Sequence, residues 1–213
     1  MSIVLVGATS GSCTLQEQAV AGTTVLTLPT TSGTVLTSAS TGISASNITT
    51  GTLPKAQLPT GSVLQVVQGT PKTDTFSTTS TSMVDITGLS ATITPTSASN
   101  RILVIVDLHI GYSIYAGVVH LLRGSTKIYA GDGGLNRCGL FSNVYGSSNT
   151  NTLIPVTAMC LDSPGTTSAT TYKLQTTTYG AGTQFVNRTS DDINESNRDG
   201  RTVSTITLME IAV

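Results

Sequence analysis

Hydrophobic and polar positions alternate with a period of two through most of the chain after Gly61. In residues 101–110 every even position is apolar (Ile102, Val104, Val106, Leu108, Ile110), while the odd positions read Arg101, Leu103, Ile105, Asp107 and His109. Successive side chains of a strand point to opposite faces, so this run predicts a strand with one face fully buried and the other partly covered. Leu103 and Ile105, on the second face, are candidates for contact with another sheet or another subunit. Leu89, Ala91 and Ile93 alternate with Ser90, Thr92 and Thr94, and Tyr172, Leu174 and Thr176 alternate with Lys173, Gln175 and Thr177. Further strands are predicted at 63–67, 118–123, 126–130, 153–161 and 203–211. Between them stand turn clusters: Gly131-Asp132-Gly133-Gly134, Gly146-Ser147-Ser148-Asn149, Asp162-Ser163-Pro164-Gly165 and Asp199-Gly200. Short strands at this spacing, with no long amphipathic helix, predict an all-β antiparallel sandwich of the jelly-roll kind. The last strand runs almost to the terminus, which places Val213 inside the fold.

The front third reads differently. Only Glu17 and Lys55 are charged before Lys72, and short near-repeats dominate: Gly22-Thr23-Thr24-Val25-Leu26-Thr27, then Gly33-Thr34-Val35-Leu36-Thr37. Leu-Pro steps follow at Leu28-Pro29, Leu53-Pro54 and Leu58-Pro59. Branched Thr and Val favour extended backbone, while repeated proline prevents both a helix and a central strand. Leu15-Gln16-Glu17-Gln18-Ala19-Val20 is the one place where a short helix is tolerable on propensity. This material has too few large side chains to bury a core alone, and its uncharged strands are adhesive if left free. Several identical chains wrapping together would hide Val25, Leu26, Leu28, Val35, Leu36, Leu53 and Leu58. The expected organisation is an N-terminal segment over 1–20, an extended shaft and linker over 21–61, and a β-sandwich over 62–213.

Composition narrows the function classes. The 213 residues carry a net charge of −1, and mean hydropathy is +0.19, whereas disorder needs low hydrophobicity with high net charge. There is no basic run to draw in nucleic acid or an anionic membrane, so neither is an expected partner. Residues 1–6 are apolar but too short to span a bilayer, and no basic flank or cleavage site follows. The expectation is a chain made in the cytoplasm without a signal and without membrane insertion. Cys13, Cys138 and Cys160 are odd in number and widely spaced, which fits small apolar residues better than a zinc pattern.

Candidate chemistry is sparse. A polysaccharide-cleaving site would want two carboxylates at fixed separation, and Asp107, Asp132, Asp191, Asp192, Glu195 and Asp199 are available. Nothing in the sequence fixes their spacing. The acids of 191–201 read more simply as a solvated loop pairing with Arg188, Arg198 and Arg201; its oxygens suffice for calcium but lack the alternating register of a calcium loop. His109 and His120 stand at no metal-ligand interval with Cys or carboxylate, although three symmetry-related histidines could meet on an axis. No catalytic residue, metal or cofactor is expected. Binding is the stronger expectation, because loops displayed by a rigid sandwich carry recognition. Tyr145 with Asn143, Asn149 and Asn151 offers an aromatic face plus amides suited to a glycan, and Tyr179 with Gln184, Asn187 and Arg188 offers the same mixture. The alternative is that both tyrosines cap the edge of the core.

The run Gly11-Ser12-Cys13-Thr14-Leu15-Gln16, then 19–29 (Ala19 to Pro29) and Ser32-Gly33-Thr34-Val35-Leu36, resembles a short module of tailed-phage fibre and virion proteins. The stretch Ile48-Thr49-Thr50-Gly51-Thr52-Leu53-Pro54-Lys55-Ala56-Gln57-Leu58-Pro59 is similar to the linker before the C-terminal domain in such proteins, those of marine and cyanobacterial phages especially. The ending Thr205-Ile206-Thr207-Leu208-Met209-Glu210-Ile211 resembles their last strand. The resemblance covers roughly the first third and the final strand. It implies a homotrimeric fibre on the virion: residues 1–20 dock on other phage structural proteins, a slender shaft follows, and a jelly-roll knob meets a host-surface glycan or protein. A capsid decoration, cement or head-fibre protein is the structural alternative, and a small depolymerase the enzymatic one.

Overall fold

The computed structural model describes residues 2–6, 12–16, 55–113, 117–132, 142–144, 152–194 and 199–213. The chain divides into two units, Met1–Thr52 and Leu53–Val213. In the first, β1 (Ser2–Val6) and β2 (Ser12–Gln16) pair antiparallel, with Ile3 opposite Leu15 and Ser2 opposite Gln16. Leu15 and Gln16 are therefore strand residues, which corrects the helix tolerated there on propensity: pairing with a neighbouring strand overrides the weak preference of so short a run. The shaft positions Val25, Leu26, Leu28, Val35, Leu36 and Leu53 lie outside the described residues.

The second unit opens with a 3-10 turn at Lys55–Gln57 and continues through β3 (Val63–Gln68), β4 (Phe76–Thr78), β5 (Val84–Ile93), β6 (Arg101–Tyr112), β7 (Gly117–Arg123), β8 (Thr126–Ile128), β9 (Ser142–Val144), β10 (Ile154–Asp162), β11 (Thr170–Thr178), β12 (Gln184–Val186) and β13 (Thr205–Ile211). All pairings are antiparallel and form two sheets. In the first sheet β6 is central. β10 lies along one edge of β6, while β13 and β12 share the other edge end to end, β3 outside β13 and β4 outside β12. In the second sheet β11 lies between β5 and β7, and β8 and β9 share the outer edge of β7.

The inward residues of both sheets form one apolar cluster. Ile102, Val104, Val106, Leu108 and Ile110 of β6 meet Leu89, Ala91, Ile93, Leu121, Tyr172 and Leu174 of the opposite sheet. The unit is thus an all-β sandwich, as the period-two pattern requires. In β5 the alternation breaks where Thr87 and Gly88 are both exposed before Leu89 turns inward again. Gly88 adopts φ +80°, a left-handed conformation that costs glycine nothing, within an irregularity where the four residues between Asp85 and Ser90 stand opposite the single Leu174 of β11.

Two buried polar residues lock this arrangement. The β6 edge shared by β12 and β13 has a gap at His109, and Asn187 and Ser204 fill it. The Asn187 N–H donates to the His109 carbonyl (3.0 Å), and the His109 N–H donates to Ser204 Oγ (3.1 Å). Asn187 Nδ2 donates to the carbonyls of Lys72 (2.7 Å) and Asp74 (3.1 Å), and Ser204 Oγ donates to Asn187 Oδ1 (2.6 Å). At one end of the sandwich the Glu210 carboxylate is fully buried. It accepts hydrogen bonds from Gln65 Nε2 (2.6 Å), Asn100 Nδ2 (2.7 Å), the Thr96 N–H (2.6 Å) and Thr96 Oγ1 (2.8 Å). Burial alone would raise its pKa, but the donors from Asn100, Gln65 and Thr96 outweigh burial and hold it below the ordinary 4.5. Val213 corrects the expectation of an interior terminus: its N–H reaches Asn100 Oδ1 (3.3 Å), but the residue is 59% exposed because β13 ends at Ile211.

Two outcomes are expected. Asn187→Gly keeps the left-handed backbone (φ +64°) but removes the amide, costing about 2 kcal/mol of urea-measured stability for the carbonyls left unpaired. Asn187→Ala should cost about 1 kcal/mol more, because a Cβ is strained there; equal losses would refute the backbone part of this account. Glu210 has a depressed folded pKa, so its contribution is fully present above its unfolded value of 4.5 and is lost as pH falls from there through the folded value. Glu210→Gln should lower stability at pH 7 by roughly 2 kcal/mol and flatten the acid limb of the stability curve. An acid limb identical in shape to that of the unmutated chain would sink the assignment.

Candidate functional site

Strand directions give the sandwich two unlike ends. At the root end the incoming chain reaches β3, with Gly61 N–H bonded to the Ala212 carbonyl. The β5–β6 and β10–β11 connections and the C-terminal residues lie here too, because β5 ends, β6 begins and β13 ends at this level. A cavity of about 390 Å³ at this end is lined by Lys55, Leu58, Leu64, Thr96, Asn100 and Val213 among others, which accounts for the half-buried Leu58. Across the root end, Asp162 accepts from Arg123 Nη1 (2.8 Å) and from the Tyr172 hydroxyl (2.7 Å), tying the two sheets together. Burial and then the bond to Asp162 push the Tyr172 phenol up. Burial, then the nearby Asp162 charge, raises the free Cys160 thiol to about 11, so it stays protonated and unreactive at neutral pH.

The far end is reached by β6, whose 12 residues span roughly 36 Å at about 3.3 Å per residue. There the β4–β5 connection, the β6–β7 connection and the β11–β12 connection come together. Short polar bonds fix their starts: the Thr178 N–H and Thr177 Oγ1 donate to the Ser80 carbonyl (2.9 and 2.8 Å), and the Ser113 N–H donates to the Thr183 carbonyl (2.9 Å), returned by Thr183 N–H to Ser113 Oγ (2.9 Å). Gly117 pairs with Thr178 on one side and Val144 on the other, so the chain leaves β9 and β11 at this same end.

The sequence candidates therefore part company. Tyr179 stands at the far end, 74% exposed, where a ring that merely capped the core would be covered. Asn143 is on β9, beside Val118, at the same end; Tyr145, Asn149 and Asn151 lie outside the described residues. Gln184 is at this end but beneath it: it is 1% exposed, opposite Tyr112, and neither atom of its amide has a hydrogen-bond partner among the described residues. It lies against Gly117, whose missing side chain makes the room; a Cβ there would overlap the Gln184 amide. Asn187 is fully buried and committed to the gap at His109, and its amide is therefore structural and not free for a ligand. Arg188 belongs to the lateral β12–β13 connection. Its guanidinium lies 4.0 Å over the Phe185 ring and donates to Asp192 (2.8 Å).

The carboxylates are dispersed or engaged. Asp107 faces outward on β6, 4.0 Å from His109 Nδ1, while Asp132 follows β8 on the other sheet. Asp192 receives Arg188 and Arg201, and although burial works against it, those two guanidinium groups hold its pKa below the usual range. Of the expected acid–arginine pairs, Asp192 with Arg188 and Arg201 is formed, while Glu195 and Arg198 lie outside the described residues. His120 is held below its ordinary pKa by burial and then by Lys127. Among the described residues, no group of three or more His, Cys, Asp or Glu is placed to hold a metal. The residues that sequence reasoning missed are Ser80, Ser113 and Thr183, since a serine or threonine in a chain with 40 Thr and 25 Ser carries no signal until the loops meet.

Comparison with family models and with curated proteins gives no match to this chain.

An orphaned amide in a core is a cost to the fold. Gln184→Met, of similar shape, should therefore raise stability by about 1 kcal/mol in urea. A loss of stability would mean that the amide has a partner.

Proposed function

We propose that the chain is a homotrimeric fibre of a tailed-phage virion. It attaches to other structural proteins of the particle by its N-terminal segment and presents the Leu53–Val213 unit for adhesion to a host-surface glycan or protein. What carries this reading is the opposition of the two ends of the sandwich: the chain arrives at the root end, and the exposed Tyr179 with its converging loops lies at the other. A display domain needs that polarity, because a recognition surface beside its own stalk would be shielded by it. The low-charge front third, with its resemblance to fibre modules and its Thr, Val and Leu-Pro steps, supplies the stalk and the reason for several chains.

The unit acts by binding, with no catalytic step and no cofactor. A tyrosine face flanked by hydroxyls and amides is the chemistry of sugar recognition: the ring covers the apolar face of a pyranose, and the polar groups meet its hydroxyls. Each site is weak alone, and linked copies raise the effective concentration at the cell surface. The chain is made in the host cytoplasm and resides on the virion.

The test uses the full chain and its particle. Antibody against the Leu53–Val213 unit should label the tip of a projecting fibre; label lying flat on the shell would favour a decoration protein. Tyr179→Ala should leave the urea midpoint within about 0.5 kcal/mol, as expected of an exposed side chain. It should weaken binding to host cells at least about tenfold, since a truncated aromatic contact costs about 1–2 kcal/mol per copy. Unchanged cell binding by this variant rules out the far end as the adhesive surface.

A further inference from the structure

The outward side chains of the first sheet are apolar over its root half. Val66, Met209, Leu103 and Leu161 stand directly opposite one another in a row across β3, β13, β6 and β10. In the next row Ile105 stands between Met159 and Thr207. On an isolated protomer Met159 is 63% exposed, Val66 55% and Leu161 47%. The outer face of the second sheet is unlike this. There Thr92 and Thr171 share a hydrogen bond (2.7 Å), and Asp85 accepts from Lys173 (2.8 Å) and Gln175 (2.7 Å), as suits a sheet facing water. On the far half of the first sheet the outward aromatic Phe185, opposite Gly111, is covered by Arg188, while the β10 positions there are Pro155 and Thr157. Among the described residues, the exposed large apolar side chains of this face gather on its root half.

Its size and charge say what covers it. One apolar row across four strands about 4.8 Å apart and a second across two, each about 6.6 Å deep along the strands, give an apolar area of roughly 200 Å². A stable contact takes about 800 Å² per partner, so this patch is the centre of an interface whose rim is supplied by Gln68, Thr157, Thr205, Thr207, Arg101 and Asp107. Within the patch there is no charge, and at its two ends stand one cation, Arg101, and one anion, Asp107. An identical face therefore meets it without net repulsion, while a strongly charged partner would gain nothing over the centre. We infer that this bare half-face is the surface on which a second copy of the chain packs. The inference rests on the assembly of identical chains proposed above, not on what the far end recognises.

The full chain tests it. Leu161→Lys and Met159→Lys place a charge on positions already open to water, so the isolated protomer still folds. Thr92→Lys, on the polar outer face, is the control. A charge buried without a partner should raise the concentration at which the assembly dissociates by about tenfold or more for both β10 variants, and not for Thr92→Lys. Peroxide oxidation of Met159 should be about tenfold slower in the assembled wild-type chain than in Leu161→Lys, because susceptibility follows exposure. If the chain is oligomeric but Met159 oxidises at the variant's rate, this surface is wrong and the assembly stands. A monomer at every concentration overturns both. Protection of Met159 that appears only on adding another virion protein overturns a second copy as the occupant.

Discussion

The second unit is organised by an edge of β6 that two strands must share. β6 has 12 residues, while β13 covers Arg101–Asp107 and β12 covers Ile110–Tyr112, so neither partner alone satisfies it. The unpaired backbone of His109 would be a buried defect, and an unpaired buried N–H or C=O costs as much as a lost hydrogen bond. Asn187 and Ser204 close the gap, and in doing so they fix where β12 must stop and where β13 must begin. The excursion between those strands, with Arg188, Asp192 and Arg201, is a consequence. It carries Arg188 over Phe185 and so covers that ring on the outer face.

The same constraint sets the two ends. Because β6 is long and central, its first residue and its last define levels that the other strands follow. The β5–β6 connection, the chain arriving at β3 and the end of β13 gather at one level, and the β4–β5, β6–β7 and β11–β12 connections gather at the other. Each end is then stabilised in its own way. The root end is tied by charged groups, Glu210 under its four donors and Asp162 between Arg123 and Tyr172. The far end is held by neutral bonds among Ser80, Thr177, Ser113 and Thr183, and it keeps an unsatisfied amide below an exposed ring. The two ends are thus held by different chemistry, charged groups at one and neutral hydrogen bonds at the other.

Unequal outer faces follow from the same two sheets. Threonine and charged side chains on β5 and β11 solvate one of them, while Val66, Met209, Leu103 and Leu161 leave the other in want of cover. In the assembly proposed above, copies joined through the front of the chain would meet again at this surface.

The alternation of apolar and polar residues makes the all-β fold and most of its strands legible from sequence, because period two is a local property of a pleated chain. In β6 each inward side chain from Ile102 to Ile110 is marked by its position alone. The helix tolerated at Leu15 fails because propensity is weak and the pairing of β1 with β2 is not local. The site is half legible. Tyrosine and amide composition draws notice to Tyr179, yet composition cannot say that Gln184 and Asn187, on the same stretch of chain as the exposed Tyr179, are buried. Burial depends on which strand edge is left unfilled, and that edge is formed by residues far apart in the chain. Sequence by itself therefore determined the sheet-forming pattern and the uncharged front third. Only the tertiary structure decided which loops share an end, which amide is structural and which side chains of the outer face are exposed, because each follows from strands meeting across long separations.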